Sequence, residues 1–285
     1  MIFQKNIAKL LGKDYYQLRS KKKLGKLKFT IKIKLKAFYY SKFYNMYKMN
    51  TLKSVSWGKN AIQLLNLLNN GGLMENVPTI LMLRHSEREE PEILEEIFEA
   101  PLTERGHKAA FEFGMNLPKK YEYRFFHSSV PRCKNTALEI RKGISNSKQK
   151  NSISIESIES LIKINCDFEK FKTYLRQTET DTIFLDRWIG QFYNPLEIEP
   201  ALAVAKRIAK DIKKLNKTQK KKTIDVFVSH DFHVILSQFY LSGNLVTNEW
   251  IQYLDGFIIQ FFDKKMKIYS QRGKVEVNYP YWWTN

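Results

Sequence analysis

Three short clusters in this 285-residue chain hold the side chains best equipped for chemistry. Arg84-His85, with Arg88 just beyond, ends the apolar run "TILML". The stretch "HSSVPRCKNTA", which begins at His127, supplies Ser128, Ser129 and Arg132, and Ser229-His230-Asp231 ends the apolar run "TIDVFV". A guanidinium is a rigid fork of donors that meets phosphate oxygens in pairs. It also stabilises charge on the equatorial oxygens of a phosphoryl group as that group moves in line. A neutral imidazole can attack phosphorus and form a covalent phosphohistidine, dividing one hard displacement into two. Two histidines, Arg84, Arg88 and Arg132 are therefore parts suited to phosphoryl transfer, provided that folding brings them together.

The elements around the clusters supply that condition. Pro78–Leu83 reads as a short buried strand between a proline and a charged loop. Thr103–Leu117 reads as a helix with Thr103 as N-cap and Ala110, Phe111 and Gly114 on one side. Tyr123–His127 is a second strand, and a helix starts at Pro131. After a polar link near Ser145–Ser152, Phe168–Leu215 is mostly helical. Thr223–Ser229 is a third strand, followed by the helical "DFHVILSQFYL"; "GFIIQFFDKKMKIYSQRG" is an antiparallel hairpin turning at Asp263-Lys264-Lys265.

Strands separated by helices imply an α/β fold. The expected form is a three-layer sandwich with a mostly parallel central sheet and helices on both faces. A small helical cap is inserted at about 141–215, and a β-hairpin closes the chain. Ligands of such sheets bind beyond the carboxyl ends of the strands, where each reactive cluster stands. Helix N-termini after the second and third strands add backbone N–H donors.

Charge divides the chain. Of 48 Lys+Arg and 29 Asp+Glu, residues 1–60 hold 16 basic side chains and one acid, Asp14, for a net +15; the rest carries only +4. Two domains are expected, a basic and amphipathic arm at 1–71 and a catalytic body at 72–285. In "KLKFTIKIKLKAFYYSKFYNMYKM" both strand and helix periods fit. As a helix its lysine face could lie on an anionic membrane. Lysines between aromatics could contact nucleic acid instead, the lesser expectation, and a solvated tail or a peripheral element packed on the body fits as well as those two together.

Two cysteines, Cys133 and Cys166, are too few for a disulfide framework and lack metal-site spacing, so no cofactor or metal is expected. No apolar run approaches the roughly 20 residues that span a bilayer, and the first residues lack a secretory signal's apolar core. The expected location is cytoplasmic, with the arm allowing a peripheral seat at the inner membrane surface.

"LRHSER", "LTERGHKAAFEFG", "HSSVPRCKNTALEI" and "VFVSHD" resemble, in order and rough spacing, the motifs of the histidine phosphatase superfamily, which includes phosphoglycerate mutases and histidine acid phosphatases. The likeness covers about Pro78 to Tyr279. It implies that His85 is the phosphorylated nucleophile and that Arg84, Arg88, Arg132 and His230 clamp the phosphoryl group. The mutase branch takes its acid from a Leu-x-Glu context, and the equivalent here, Leu161–Lys163, has no carboxylate. The acid-phosphatase branch has Asp directly after the second histidine, as Asp231 stands here, which implies Asp231 as general acid. This chain departs from the pattern at Ser86, where the family usually has Gly, at Pro91, one residue late, and in a shorter cap.

The resulting expectation is a metal-independent phosphomonoesterase acting on a phosphorylated small molecule such as a sugar phosphate. A mutase-like phosphotransferase is the alternative within enzymes; a membrane- or nucleic-acid-binding scaffold is the alternative outside them. His107, His127 and His233 receive structural readings, as do Cys133 and Glu104, the latter favouring its helix dipole. Trp188, Phe192 and Tyr193 are read as core ahead of the alternative, the lining of a pocket for an organic leaving group. Ser128 and Ser129 are read as turn formers, with hydroxyls able to meet the phosphate.

Overall fold

Period-two alternation in the strands decides the architecture. The computed structural model describes residues 49–146, 154–244 and 250–283. In chain order these form α1 (Asn50–Ser54), α2 (Gly58–Asn70), β1 (Thr79–Arg84), α3 (Glu104–Met115), β2 (Glu122–His127) and α4 (Pro131–Asn146). Then come β3 (Ile155–Ser157), α5 (Phe168–Arg176), α6 (Asp181–Ile189), α7 (Ala201–Asn216), β4 (Thr223–Ser229) and α8 (Asp231–Ser242). The chain closes with β5 (Gly256–Phe261), β6 (Lys265–Ser270) and β7 (Gly273–Asn278).

The strands make one seven-stranded sheet in the order β3-β2-β4-β1-β5-β6-β7. The first four are parallel, and the last three run antiparallel to their neighbours. Ile80 and Met82 of β1 face one layer with Phe126, Phe227, Phe257 and Ile259. Leu81 and Leu83 face the other with Phe125, Val226, Val228 and Ile258. A strand buried on both sides reads as a continuous apolar run, which is why β1 and β4 were legible.

The first layer is covered by α6, α7 and α8, and the second by α1 to α4. The α/β sandwich is thus as expected, with two differences at its ends. The C-terminal hairpin is extended by β7 into a three-stranded meander, whose second turn uses Gly273 at φ 109°, a conformation open to glycine. The stretch expected as a cap is partly layer, because α4 continues into it and Val204, Ile208 and Ile212 of α7 are core residues.

The boundary expected at residue 72 falls inside a packed unit. The described residues from Met49 onward belong to one compact unit. Leu52, Leu64 and Leu65 are fully buried, and Trp57, Ala61 and Leu68 nearly so. A buried leucine side chain contributes about 1.5–3 kcal/mol, so these helices are held by the core despite the lysine-rich stretch before them. The Glu112 carboxylate on α3 fastens α1 by accepting from the Thr51 and Leu52 N–H groups at 3.0–3.1 Å. The readings of "KLKFTIKIKLKAFYYSKFYNMYKM" lie outside the described residues. Among the described residues, no helix is long and apolar enough to cross a membrane.

Candidate functional site

Register brings the site together. Arg84 on β1 lies opposite Ser229 on the parallel strand β4, so the next residues, His85 and His230, leave the sheet side by side. Their ring centroids are 5.5 Å apart. On the other side of β4, His127 pairs with Val228. The turn after β2 therefore delivers Ser128 to His230 and sets Arg132 in the first turn of α4.

Arg132 joins the two rings. Its Nε donates to His85 Nε2 at 3.0 Å, and its Nη2 donates to His230 Nδ1 at 3.0 Å. Its Nη1 donates to the Ile97 carbonyl in the 3₁₀ turn Leu94–Phe98. His85 Nδ1 donates to the Ser86 carbonyl, 2.7 Å away. Because a guanidinium has only donors and a carbonyl only accepts, His85 carries its proton on Nδ1 and a lone pair on Nε2. His85, His230 and Arg132 are each no more than 6% exposed.

That burial sets the charge states. Burial pushes the His85 pKa well below its ordinary value, and the positive charges of Arg132 and Arg84 push the same way. Burial lowers His230 well below its ordinary value too, reinforced by His85 and Arg132. Both rings are neutral at pH 7, and His85 Nε2 is an available nucleophile.

Asp231 opens α8 beside this pair. Its Oδ2 lies 3.0 Å from Arg84 Nη2 and accepts from the Trp250 indole at 3.2 Å, while Oδ1 accepts from the Phe232 N–H at 2.9 Å. Burial works to raise its pKa, but the Arg84 charge and these hydrogen bonds outweigh it and hold the carboxyl below its usual range. Arg84 also donates to the Ile251 carbonyl at 2.7 Å and lies 4.5 Å from the centre of the Tyr253 ring. Tyr253 in turn packs against His85 and Trp57.

The loop after His85 is pinned from several sides. Ser86, completely buried, uses its hydroxyl to donate to the Gly106 carbonyl at 2.7 Å, and its N–H donates to Thr136 Oγ1 at 3.0 Å. The departure from glycine is thereby satisfied within the fold. Glu87 accepts from Trp57 Nε1, Thr103 Oγ1 and Arg105. Gly106 permits this approach, since a Cβ there would stand 2.1 Å from the Glu87 carbonyl.

His85, His230, Arg84, Arg132 and Asp231 thus form one connected group. Arg88 lies at its edge: it pairs with Glu90 at 3.0 Å and donates to the Glu89 carbonyl, and its charge acts on Arg132. Lys163, where a carboxylate is missing, pairs with Glu159 at 2.9 Å. Lys172 on α5 bonds Glu95 at 2.6 Å and so ties that helix to the turn over Arg132.

Of the residues set aside as structural, His107 lies on a helix surface beside Glu139, and His127 and His233 are buried. Trp188 is core, and Tyr193 stacks on Tyr174 and Phe184. Phe192 is not core. The chain reverses at Gln191 (φ 60°) and leaves Phe192 80% exposed. Trp250 and Tyr253 have no motif or spacing that marks them, and only the fold brings them here. Ser128 was found as a turn residue, but its bond to His230 depends on a partner 102 residues away.

The family model described as Histidine phosphatase superfamily (branch 1) matches residues 80–241, more than half of the chain. No curated protein matches in sequence. Among solved structures, YhfR of Bacillus stearothermophilus is 16% identical with a TM-score of 0.51, over 68% of this chain and 96% of that one. A phosphoglycerate mutase from Bacillus anthracis is 18% identical with a TM-score of 0.48, over 72% of this chain and 93% of that one. A mycobacterial glucosyl-3-phosphoglycerate phosphatase is 15% identical with a TM-score of 0.44, over 65% and 89% respectively. At 16% identity the YhfR likeness is one of fold.

Proposed function

The chain belongs to the histidine phosphatase superfamily, and from that premise we propose that it hydrolyses a phosphomonoester through a phosphohistidine on His85. The observation that carries this reading is the sharing of one guanidinium between two neutral imidazoles at adjacent strand ends. Arg132 is where a phosphoryl oxygen finds donors, and His85 Nε2 is where phosphorus finds an electron pair.

In the first step His85 Nε2 forms a bond to phosphorus as the bond from phosphorus to the leaving oxygen breaks. Asp231 gives its proton to that oxygen. In the second step Asp231 takes a proton from water, whose oxygen attacks phosphorus and releases His85. Arg84 and Arg132 stabilise the equatorial oxygens in both steps, and Arg88 adds positive charge at the edge. The leaving group is a small alcohol, a sugar among the candidates.

Asp231 is ionised in the free protein, so its proton comes with the substrate. An incoming phosphate competes with the carboxylate for Arg84, which removes a main force holding the Asp231 pKa down. Burial then favours the neutral acid, and a phosphomonoester with a second pKa near 6 can supply the proton.

Incubation with a labelled aryl phosphate followed by acid quench tests the reading. Label on His85, lost together with turnover in His85→Ala, is the expected result. Phosphate release that persists in His85→Ala would reject it, and conversion of a sugar phosphate to its isomer without net release would replace hydrolysis by mutase chemistry.

A further inference from the structure

Donor-only chemistry also fixes the proton on the second histidine. Arg132 Nη2 donates to His230 Nδ1, so Nδ1 holds the lone pair and the ring proton sits on Nε2. That N–H points at Ser128 Oγ, 2.8 Å away. Ser128 is completely buried, and its oxygen also lies 3.4 Å from the Val130 N–H. The Cys133 thiol stands 3.5 Å from the same Nε2. Burial pushes that thiol's pKa up to about 12, so it faces the ring as neutral sulfur, a weak acceptor.

We propose that Ser128 is a positioning residue for phosphoryl transfer: by accepting the Nε2 proton, it holds His230 with Nδ1 turned toward the phosphoryl group. The kinetic part of this inference rests on the hydrolase reading above; the proton placement does not.

The consequence lies in the bound state. A phosphate oxygen that draws Arg132 away meets the lone pair of His230 Nδ1, which is repulsive until that nitrogen takes up a proton from solvent, separate from the one the substrate brings to Asp231. The ring then becomes an imidazolium with Nδ1–H on phosphate and Nε2–H still on Ser128. The charged and titratable groups around it are His85 and Arg84 at the end of β1, Arg132 and Cys133 from α4, and Asp231 and His233 from α8. Burial and the positive neighbours keep the ring neutral in the free protein. The negative charge of phosphate reverses that balance, and Ser128 supplies a charge-assisted acceptor for the proton that remains.

Ser128→Ala should lower kcat about tenfold to a hundredfold, as expected for loss of a hydrogen bond to a charged group, with little change in KM. The alkaline limb of its kcat profile should move down by about one pH unit. Ser128→Thr keeps the hydroxyl and should restore both. Ring nitrogen NMR of the full chain reads the proton directly: Nε2–H alone without ligand, and both nitrogens protonated with inorganic phosphate. In Ser128→Ala the free protein should keep this tautomer, because Arg132 still donates to Nδ1, while the phosphate-bound ring should lose its second proton about one pH unit lower than wild type.

A wild-type ring protonated on Nδ1 in the free protein overturns the inference. So does a Ser128→Ala protein whose kcat and pH limb match wild type, with only its melting temperature lowered. An Nε2–H ring in a protein without phosphoryl chemistry leaves the proton placement standing and removes the hydrolase reading instead.

Discussion

Arg84 Nη2 lies 3.0 Å from Asp231 Oδ2, so the cation at the end of β1 neutralises the first carboxylate of α8 before any substrate arrives. In the proposed mechanism this pair lets an aspartate beside a cluster of arginines serve as the acid. Alone it is held ionised; with a phosphate on Arg84 the restraint is relaxed.

Activity should therefore depend on pH through a shared proton. With Asp231 ionised in the free protein, the reactive complex needs the monoanion of the substrate. Raising pH through the substrate's second pKa, near 6, removes that proton, so kcat/KM for alkyl phosphates should fall from pH 6 to pH 8. The depressed His85 pKa keeps the nucleophile neutral throughout this window. Asp231→Asn should lose far more activity toward alkyl than toward nitrophenyl phosphate, whose leaving oxygen needs no proton. Equal losses on both esters would remove the acid role.

Arg132→Lys tests the shared guanidinium. One ammonium cannot reproduce a planar fork that reaches His85, His230 and Ile97 at once. Loss of a preorganised donor of this kind costs about 10²–10³ in kcat, and the variant should fall in that range while its unfolding remains cooperative. Turnover within a few-fold of wild type would mean that the phosphoryl group is held elsewhere.

The strands that carry the site were legible because burial on both faces leaves apolar runs, Ile80–Leu83 in β1 and Val226–Val228 in β4. Their reactive ends stood out against that background, and Thr103 caps its helix as its type suggested. Short or half-exposed elements gave weaker signals. The strand β3 has three residues at a sheet edge, and β7, "GKVEVN", has no fully buried residue. Helices α1 and α2 were obscured because a charge count over residues 1–60 assigned them to the arm, although their leucines belong to the core. The bonds of Asp231 to Trp250 and of His230 to Ser128 come from side chains with no local pattern. Only strand register and the α8 N-terminus bring them together.

Truncation tests where the body begins. Removal of residues 1–48 should leave a cooperatively folding protein with the proposed phosphatase activity. Removal of residues 1–71 deletes Leu52, Trp57, Leu64, Leu65 and Leu68 from the core. At about 2 kcal/mol each, their burial is comparable to the 5–15 kcal/mol that holds a typical domain together. The shorter chain should be insoluble or unfolded by circular dichroism. A folded, active protein lacking residues 1–71 would restore the boundary read from composition.

Buried His233 should make the fold sensitive to acid. Burial pushes its pKa down to about 4, despite the opposing pull of the Lys163 carbonyl and the Asp231 charge. Unfolded, the ring titrates near 6.5. Between those values the unfolded chain holds the extra proton, so stability is complete above pH 6.5 and declines as pH falls toward 4. From pH 7 to pH 5 this one ring should cost about 2 kcal/mol. His85 and His230 act in the same direction, since their pKa values are lowered too, so the wild-type slope is the sum of several rings. His233→Phe removes one contribution and keeps a planar apolar ring in the site. Urea unfolding at both pH values should show the variant losing about 2 kcal/mol less than wild type, and equal losses would mean that His233 is already protonated, or solvated, in the folded protein.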